Sequence, residues 1–451
     1  MRIAGYAQRK NEHGVSLLIV ALALLALIAM AALSIDVASL YTARGEAQRA
    51  ANAGALAGAR MFVSSSYTSA SSAWSDPSPL CVNSGPGSTA AANRQAEAAT
   101  ASNLISGRPA QIQTISCDLS QAGNPRITVT ALQTGVPTFF ARIWRRGVTT
   151  VAATATAEAY NASAHNQPIE LTNVKPWLVP NCDPTSPTLG GGAGNTNCDA
   201  GGGNHFDFFI DPANGTVNNS GSFIGKEIIL NRVTSGAPGP NSGVLNMYGL
   251  DFPDTPAPVC PSSSAVSCGP PIGGIDVYLD NVACASQLPI HCGERIGNGE
   301  NITATDTDVG LSPTSTGGKC LIHADDDGPD QGQDSFSKDR VPVVITGGTN
   351  NPDPSLRGVD NISRSDSIVT LPVDAGVTLC PTAGSCTATT QVIGFLQVAV
   401  EQTTNSQPRV PVVIVNAVGC SASVLGAFPP SPGTSISTGG SSPVLVRLVQ
   451  P

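Results

Sequence analysis

The chain runs to 451 residues, enough for two or three domains and a large buried core. Only 12% of residues are charged and 4% aromatic, while 47 glycines and 35 prolines favour short strands and loops over long charged helices. Residues 1–160 carry 12 Lys and Arg against 7 Asp and Glu, a net +5, whereas residues 161–451 carry 11 against 25, a net −14. The larger part has no basic stripe with which to neutralise phosphates, which argues against nucleic-acid binding.

From Val15 to Ile35 runs VSLLIVALALLALIAMAALSI, 21 residues without a charge. At roughly 1.5 Å of rise per residue it matches a hydrocarbon core of about 30 Å. No later stretch is long and apolar enough to span again, so the expectation is a short cytoplasmic N-terminus (1–14), one transmembrane helix (15–35), and the rest on one side. Arg2, Arg9 and Lys10 before the span and Arg44 and Arg49 after it favour N-terminus-in only narrowly. The 12 cysteines decide the side: all lie beyond residue 80, none forms Cys-x-x-Cys, and the five histidines are scattered. Zinc sites therefore fit poorly, and disulfides in an oxidising compartment fit well. Two competing readings are a signal peptide cut at Ala29-Met30-Ala31 and prepilin processing after Gly14, although Ile19 stands where a pilin usually has Glu.

Beyond Ile35 the Ala-rich, Pro-free run DVASLYTARGEAQRAANAGALAGARMF should continue the same helix. Ala50, Gly54 and Gly58 recur at i, i+4, i+8 and form a small-residue ridge suited to helix packing, either on its own domain or on another molecule. The order of elements from Gly14 to Phe62, with Asp36, Tyr41, Gln48 and then AANAGALAGAR, resembles the N-terminal module of the TadE/TadG-like proteins of Flp (tight adherence) pilus assembly. Ala50, Ala51, Ala53, Ala55, Leu56, Ala57, Gly58 and Ala59 fit the family phrase; Asn52 and Gly54 stand where Asp and Ala are usual. The resemblance implies a bacterial inner-membrane protein with a periplasmic bulk. Its partners would be membrane lipid and other pilus-machinery components or pseudopilins.

Residues 36–160 read as one helix-and-sheet module. STAAANRQAEAATASNLI predicts a helix capped by Ser88 and ending before Gly107, and Gln111–Cys117 and Arg126–Leu132 read as strands. PTFFARIWRRG predicts an amphipathic helical turn with Arg142, Arg145 and Arg146 on one face, and VTTVAATATAEAY a closing strand. A long helix against a small sheet is a pilin-like arrangement. The triplet could meet anionic headgroups or be a solvated face. Cys81 and Cys117 could tie the helical part to the first strand.

Residues 161–204 suggest a linker and irregular lobe in which Cys182 and Cys198 bracket a Gly-rich loop, and residues 205–451 a β-rich domain. Strand candidates there are 206–210, 223–230, 244–247, 275–279, 341–345, 368–371, 392–400, 410–415 and 444–449, a pattern for an antiparallel sandwich or barrel. Cys260 with Cys268 and Cys284 with Cys292 would each pin a loop, Cys380 with Cys386 a shorter one, leaving Cys320 and Cys420 as a long-range pair. Spacing alone does not fix connectivity. The fold class is thus α+β: a transmembrane helix entering a pilin-like module, then a disulfide-containing β domain.

Catalytic constellations are missing from the pattern. GPNSG lacks the order of a nucleophile elbow, no Walker lysine follows a glycine-rich turn, and DSFSKD and SRSDSIV fail the Asp-x-Ser-x-Ser spacing of a von Willebrand A-type metal site. HADDDGPDQGQD aligns loosely with a calcium loop through Asp325, Asp327 and Asp334, but His323 takes the first position and no flanking helix is expected. The expectation is a non-enzymatic structural or scaffolding protein without a cofactor, calcium being the single candidate ion. A membrane-tethered or secreted envelope-binding, adhesin-like β module is the alternative.

Overall fold

The computed structural model describes residues 12–121, 123–138, 140, 148–163, 169–188, 199–201, 204–232, 243–259, 277–305, 311–326, 330–380, 385–403, 409–420, 436–437 and 442–449. In chain order the elements used below begin with helices α1 (Glu12–Ser64) and α2 (Ala91–Ala101) and strands β1 (Gln111–Asp118), β2 (Arg126–Pro137) and β3 (Val148–Asn161). Then come β4 (Trp177–Pro180), β5 (Glu227–Arg232), β6 (Val244–Asp251), α3 (Val277–Ala283), β7 (Arg295–Gly297), β8 (Thr303–Thr305) and α4 (Leu311–Ile322). β9 (Ile368–Asp374), β10 (Thr389–Val400), β11 (Arg409–Gly419) and β12 (Val444–Val449) complete the set.

α1 is a single helix of 53 residues, about 80 Å long. Leu and Ala dominate it, and no proline interrupts it. Its first half touches little: the large hydrophobic side chains from Val15 to Ile35 are 52–74% exposed. Its second half turns Ala43, Ala47, Ala50, Ala51, Ala55, Ala59 and Phe62 into a core.

That core is completed by α2 and by an antiparallel sheet of order β12-β3-β2-β1. Alternation aligns Ile127 with Ala157, Val129 with Ala155 and Ala131 with Ala153 on the helix side. On the other face Thr128 and Thr156 (2.8 Å) and Thr130 and Thr154 (3.0 Å) pair hydroxyl to hydroxyl. Alanine on β3 leaves room for α1 to lie close along the strand. α2 starts at Ala91, three residues after the expected Ser88 cap, although Ser88 Oγ still accepts from the Ala90 amide.

Six strands of the larger part close on themselves in the order β5-β11-β10-β9-β4-β6, with β6 pairing back to β5. The barrel is mixed: β5–β6 and β9–β4 are parallel, the other neighbours antiparallel. β8 extends β6, and β7 pairs with β10. Trp177, Leu230, Met247, Leu371, Val398, Val412 and Ile414 are buried in one cluster, while Val413 and Val415 on the opposite face of β11 pack with Phe336 and Ile345. A strand covered on both faces explains the near-continuous apolar run of β11.

Several expectations are corrected. The described part of the strand candidate 275–279 is not a strand: Val277–Ala283 is helical, and a second helix, α4, packs on it although its sequence contains Pro313, Gly317 and Gly318. The glycines serve the contact: a Cβ on Gly317 would stand 2.9 Å from Val282, and one on Gly318 would overlap Thr403. The boundaries at 160 and 204 are crossed twice. β4, from the expected linker, is a barrel strand, and β12, from the far end of the chain, completes the N-terminal sheet. Cys292 is bonded to Cys420 rather than to Cys284, and Cys320 is not the partner of Cys420. The barrel brings the end of β11 beside the loop after His291, which no spacing argument could foresee. Cys81–Cys117 and Cys380–Cys386 are also bonded, and Cys182, Cys284 and Cys320 are disulfide-bonded cysteines. Cys198, Cys260 and Cys268 lie outside the described residues, as do Arg142, Arg145, Arg146 and Asp327.

Candidate functional site: the apolar stalk and its seat on the barrel

Among the described residues, α1 is the one helix long and apolar enough to cross a membrane. The apolar run ends at Asp36, whose buried carboxylate accepts the Phe140 amide at 3.0 and 3.3 Å. One turn later Tyr41 is 74% exposed. From there α1 rises along β3: Gln48 Nε2 donates to Thr154 O at 3.1 Å, and Asn161 Nδ2 near the strand's end donates to Thr68 O at 3.3 Å. Gln48 also donates to Asn52 Oδ1 at 2.9 Å.

The small-residue ridge is used inside the module. Ala50, Gly54 and Gly58 are buried. A Cβ on Gly54 would overlap Thr100 Oγ1 and lie 3.1 Å from Ala96 O; one on Gly58 would lie 2.6 Å from Ile127 Cδ1 and 3.2 Å from Ala92 O. Between the two packing partners left open by the sequence, α2 and β2 therefore occupy the ridge.

α1 ends at a seat on the barrel. Ser66 takes a left-handed conformation (φ 67°), and the turn Tyr67–Ala70 then meets β11. The buried Asn416 side chain accepts from Thr68 Oγ1 (3.1 Å) and Ser69 Oγ (3.0 Å) and donates to Val63 O and Gln397 Oε1 (both 2.8 Å). Asn161 adds a donor to Ala417 O at 3.1 Å. A buried polar network with its partners in place fixes one relative arrangement of helix and barrel. The sequence carried one unread signal of it: a lone asparagine inside VVIVNAVG.

Of the three candidate calcium ligands, Asp325 and Asp334 are described and Asp327 lies outside the described residues. Asp334 spends its carboxylate on the Gly348 amide (2.7 Å) and Asn351 Nδ2 (2.9 and 3.2 Å), and Asp325 is exposed. Among the described residues no group of three or more His, Cys, Asp or Glu is placed to hold a metal ion. α4 does precede this loop, against the expectation of no flanking helix.

A second polar group was invisible in the sequence. Lys175 is wholly buried and donates to Cys284 O (2.6 Å) and Asn281 O (3.3 Å); loss of hydration pulls its pKa down to about 7. Beside it His323 Nε2 meets Asp366 Oδ2 at 3.0 Å, around a cavity of about 140 Å³. The amine's contacts are backbone carbonyls, so this group braces β4 against α3. At the end of β9, burial raises the Asp374 carboxyl to about 7 while the Gly376 and Val377 amides donate to it.

Residues 14–61 match the profile of the Tad family, Flp pilus-assembly TadE/G-like. No curated protein and no solved structure matches the chain. The matched stretch is α1 almost entire, from its exposed apolar half to the face docked on α2 and the sheet.

Proposed function

We propose that the chain is a single-pass inner-membrane component of a Flp-type pilus assembly or secretion system, acting as a scaffold and not as an enzyme. The observation that carries this reading is the continuity of α1. One helix holds the family match, an exposed apolar length sufficient for a bilayer, and a second half locked into a folded module. In this reading the N-terminus is cytoplasmic and the disulfide-bonded bulk periplasmic, where the cysteines of three defined bridges can oxidise. The seat at Asn416 transmits the orientation of the membrane helix to the barrel. The Phe140 amide donates to Asp36 at the end of the apolar run, and the basic residues Arg142, Arg145 and Arg146, which anionic headgroups would attract, follow it in sequence.

Protease added to spheroplasts tests the topology: it should degrade the bulk of the chain, while intact cytoplasmic controls survive. Deleting the chain's gene should abolish surface pili, with restoration by the full chain and not by residues 36–451 alone. A protected bulk, or normal piliation after deletion, would overturn the reading. If piliation is unchanged and the bulk is external, the envelope-binding alternative takes its place.

A further inference from the structure

The N-terminal sheet has one long edge that no described residue covers. Ala159 and Asn161 of β3 donate their amides away from β12, to Pro125 O and Gly123 O. Strand alternation therefore turns Tyr160, Glu158 and Thr156 toward β12, where they face Leu445, Arg447 and Val449. It follows that Val444, Val446 and Leu448 direct their backbone groups outward. Ser442 satisfies Val444 at both its amide and its carbonyl, 3.3 and 3.0 Å away. Among the described residues none bonds the outward amides and carbonyls of Val446 and Leu448, and the strand is apolar, without the proline or lysine that usually blunts such an edge.

The side chains say what would fit. On the helix side Val446 packs on the module core and Leu448 is 40% exposed. On the opposite face the buried Glu158 carboxylate is shared by Arg126 (3.1 Å) and Arg447 (2.7 Å), and Asp118 stands across from Arg126 on its other side. Arg447 also lies over the Tyr160 ring, 5.1 Å from its centroid. The cross-strand row Asp118–Arg126–Glu158–Arg447 thus alternates in charge and ends on a cation at the edge, where the next position in the alternation calls for a carboxylate. We propose that β12 receives an added strand from another protein, an extended apolar segment with a carboxylate across from Arg447.

A second copy of this chain cannot supply that strand symmetrically. α1 rises with β3, and β12 runs against both. Antiparallel pairing of two β12 strands needs a two-fold axis perpendicular to the sheet, which would point the second apolar helix away from the first one's membrane. The inference does not depend on the pilus reading, since the edge exists whichever assembly the chain serves.

Hydrogen exchange at the Val446 and Leu448 amides, measured on the full chain in lipid nanodiscs, tests it. The probes are the peptides acetyl-TVEVTV-amide and acetyl-TVKVTV-amide. Both amides should exchange fast in the free chain and slow about tenfold with the Glu peptide, much less with the Lys peptide. Val446→Pro should abolish the protection at Leu448 and, because the lost N–H faces outward, lower the melting temperature no more than Val446→Ala, which gives up the same contact with the core. Arg447→Gln should erase the preference for the Glu peptide. Slow exchange before any peptide is added would mean that a segment of this chain already covers the edge. That result, equal effects of the two peptides, no protection by either, or a Val446→Pro less stable than Val446→Ala would each overturn the proposal.

Discussion

Replacing Gly54 by alanine separates a ridge used inside the module from one kept for a partner helix. In a free helix the change should stabilise by about 1 kcal/mol, the difference in propensity. Here the new methyl would overlap Thr100 Oγ1 and crowd Ala96 O at 3.1 Å and Val129 Cγ1 at 3.3 Å. Overpacking costs about 1–3 kcal/mol, and the overlap with Thr100 Oγ1 puts Gly54 in the upper half of that range, so after the propensity gain of about 1 kcal/mol the expected net loss is about 1–2 kcal/mol. The Thr100 hydroxyl is buried and makes no hydrogen bond, so Thr100→Ala removes the obstacle at little cost. In that background Gly54→Ala should be close to neutral, a coupling of at least about 1 kcal/mol between the two positions. Denaturant unfolding of the full chain in detergent micelles, across the four members of the cycle, reads it directly. An equal loss in both backgrounds would refute the packing argument. No loss in either would return the ridge to the outer surface as an intermolecular contact.

Three further outcomes are expected. Asn416→Leu strands Gln397 Oε1 and the Thr68 hydroxyl, while Val63 O keeps the Ser66 amide, and at about 1 kcal/mol or more each it should cost at least about 2 kcal/mol by the same unfolding assay. A loss below about 1 kcal/mol would show that the seat is not a structural joint. An unreduced digest should yield a peptide joining Cys292 to Cys420; opening that 128-residue loop with Cys292→Ala/Cys420→Ala should cost about 4–5 kcal/mol in the loop-closure picture. Between pH 7 and pH 10 the unfolded chain carries a proton on Lys175 that the folded chain has lost, so this residue makes stability rise with pH, by at most about 1.4 kcal/mol per unit. Lys175→Met should flatten that slope, and an unchanged slope would show that the amine is hydrated.

Local pattern carried much of the fold. The continuous helix from the apolar run into the Ala-rich stretch, and the alternating strands Arg126–Pro137 and Val148–Asn161, each depend on residues a few positions apart. The same locality explains the errors. α4 holds Pro313 and two glycines and scores poorly as a helix, and only contact with Val282 and Thr403 gives those glycines a purpose. Asp334, read among the carboxylates of a candidate ion loop, bonds Gly348 and Asn351, 14 and 17 residues further on, partners that no local count includes.

What the sequence determined by itself was the membrane-length helix, its family likeness and the β-rich character of the rest, because hydrophobic length and periodicity are properties of neighbouring residues. Tertiary structure alone decided that the barrel closes through parallel β5–β6 and β9–β4 pairs, that Cys292 meets Cys420, and that β12 returns across the chain to become the edge strand beside β3. Each of these joins segments tens to hundreds of residues apart. Whether such segments meet depends on the burial gained by the whole assembly, which no local window records.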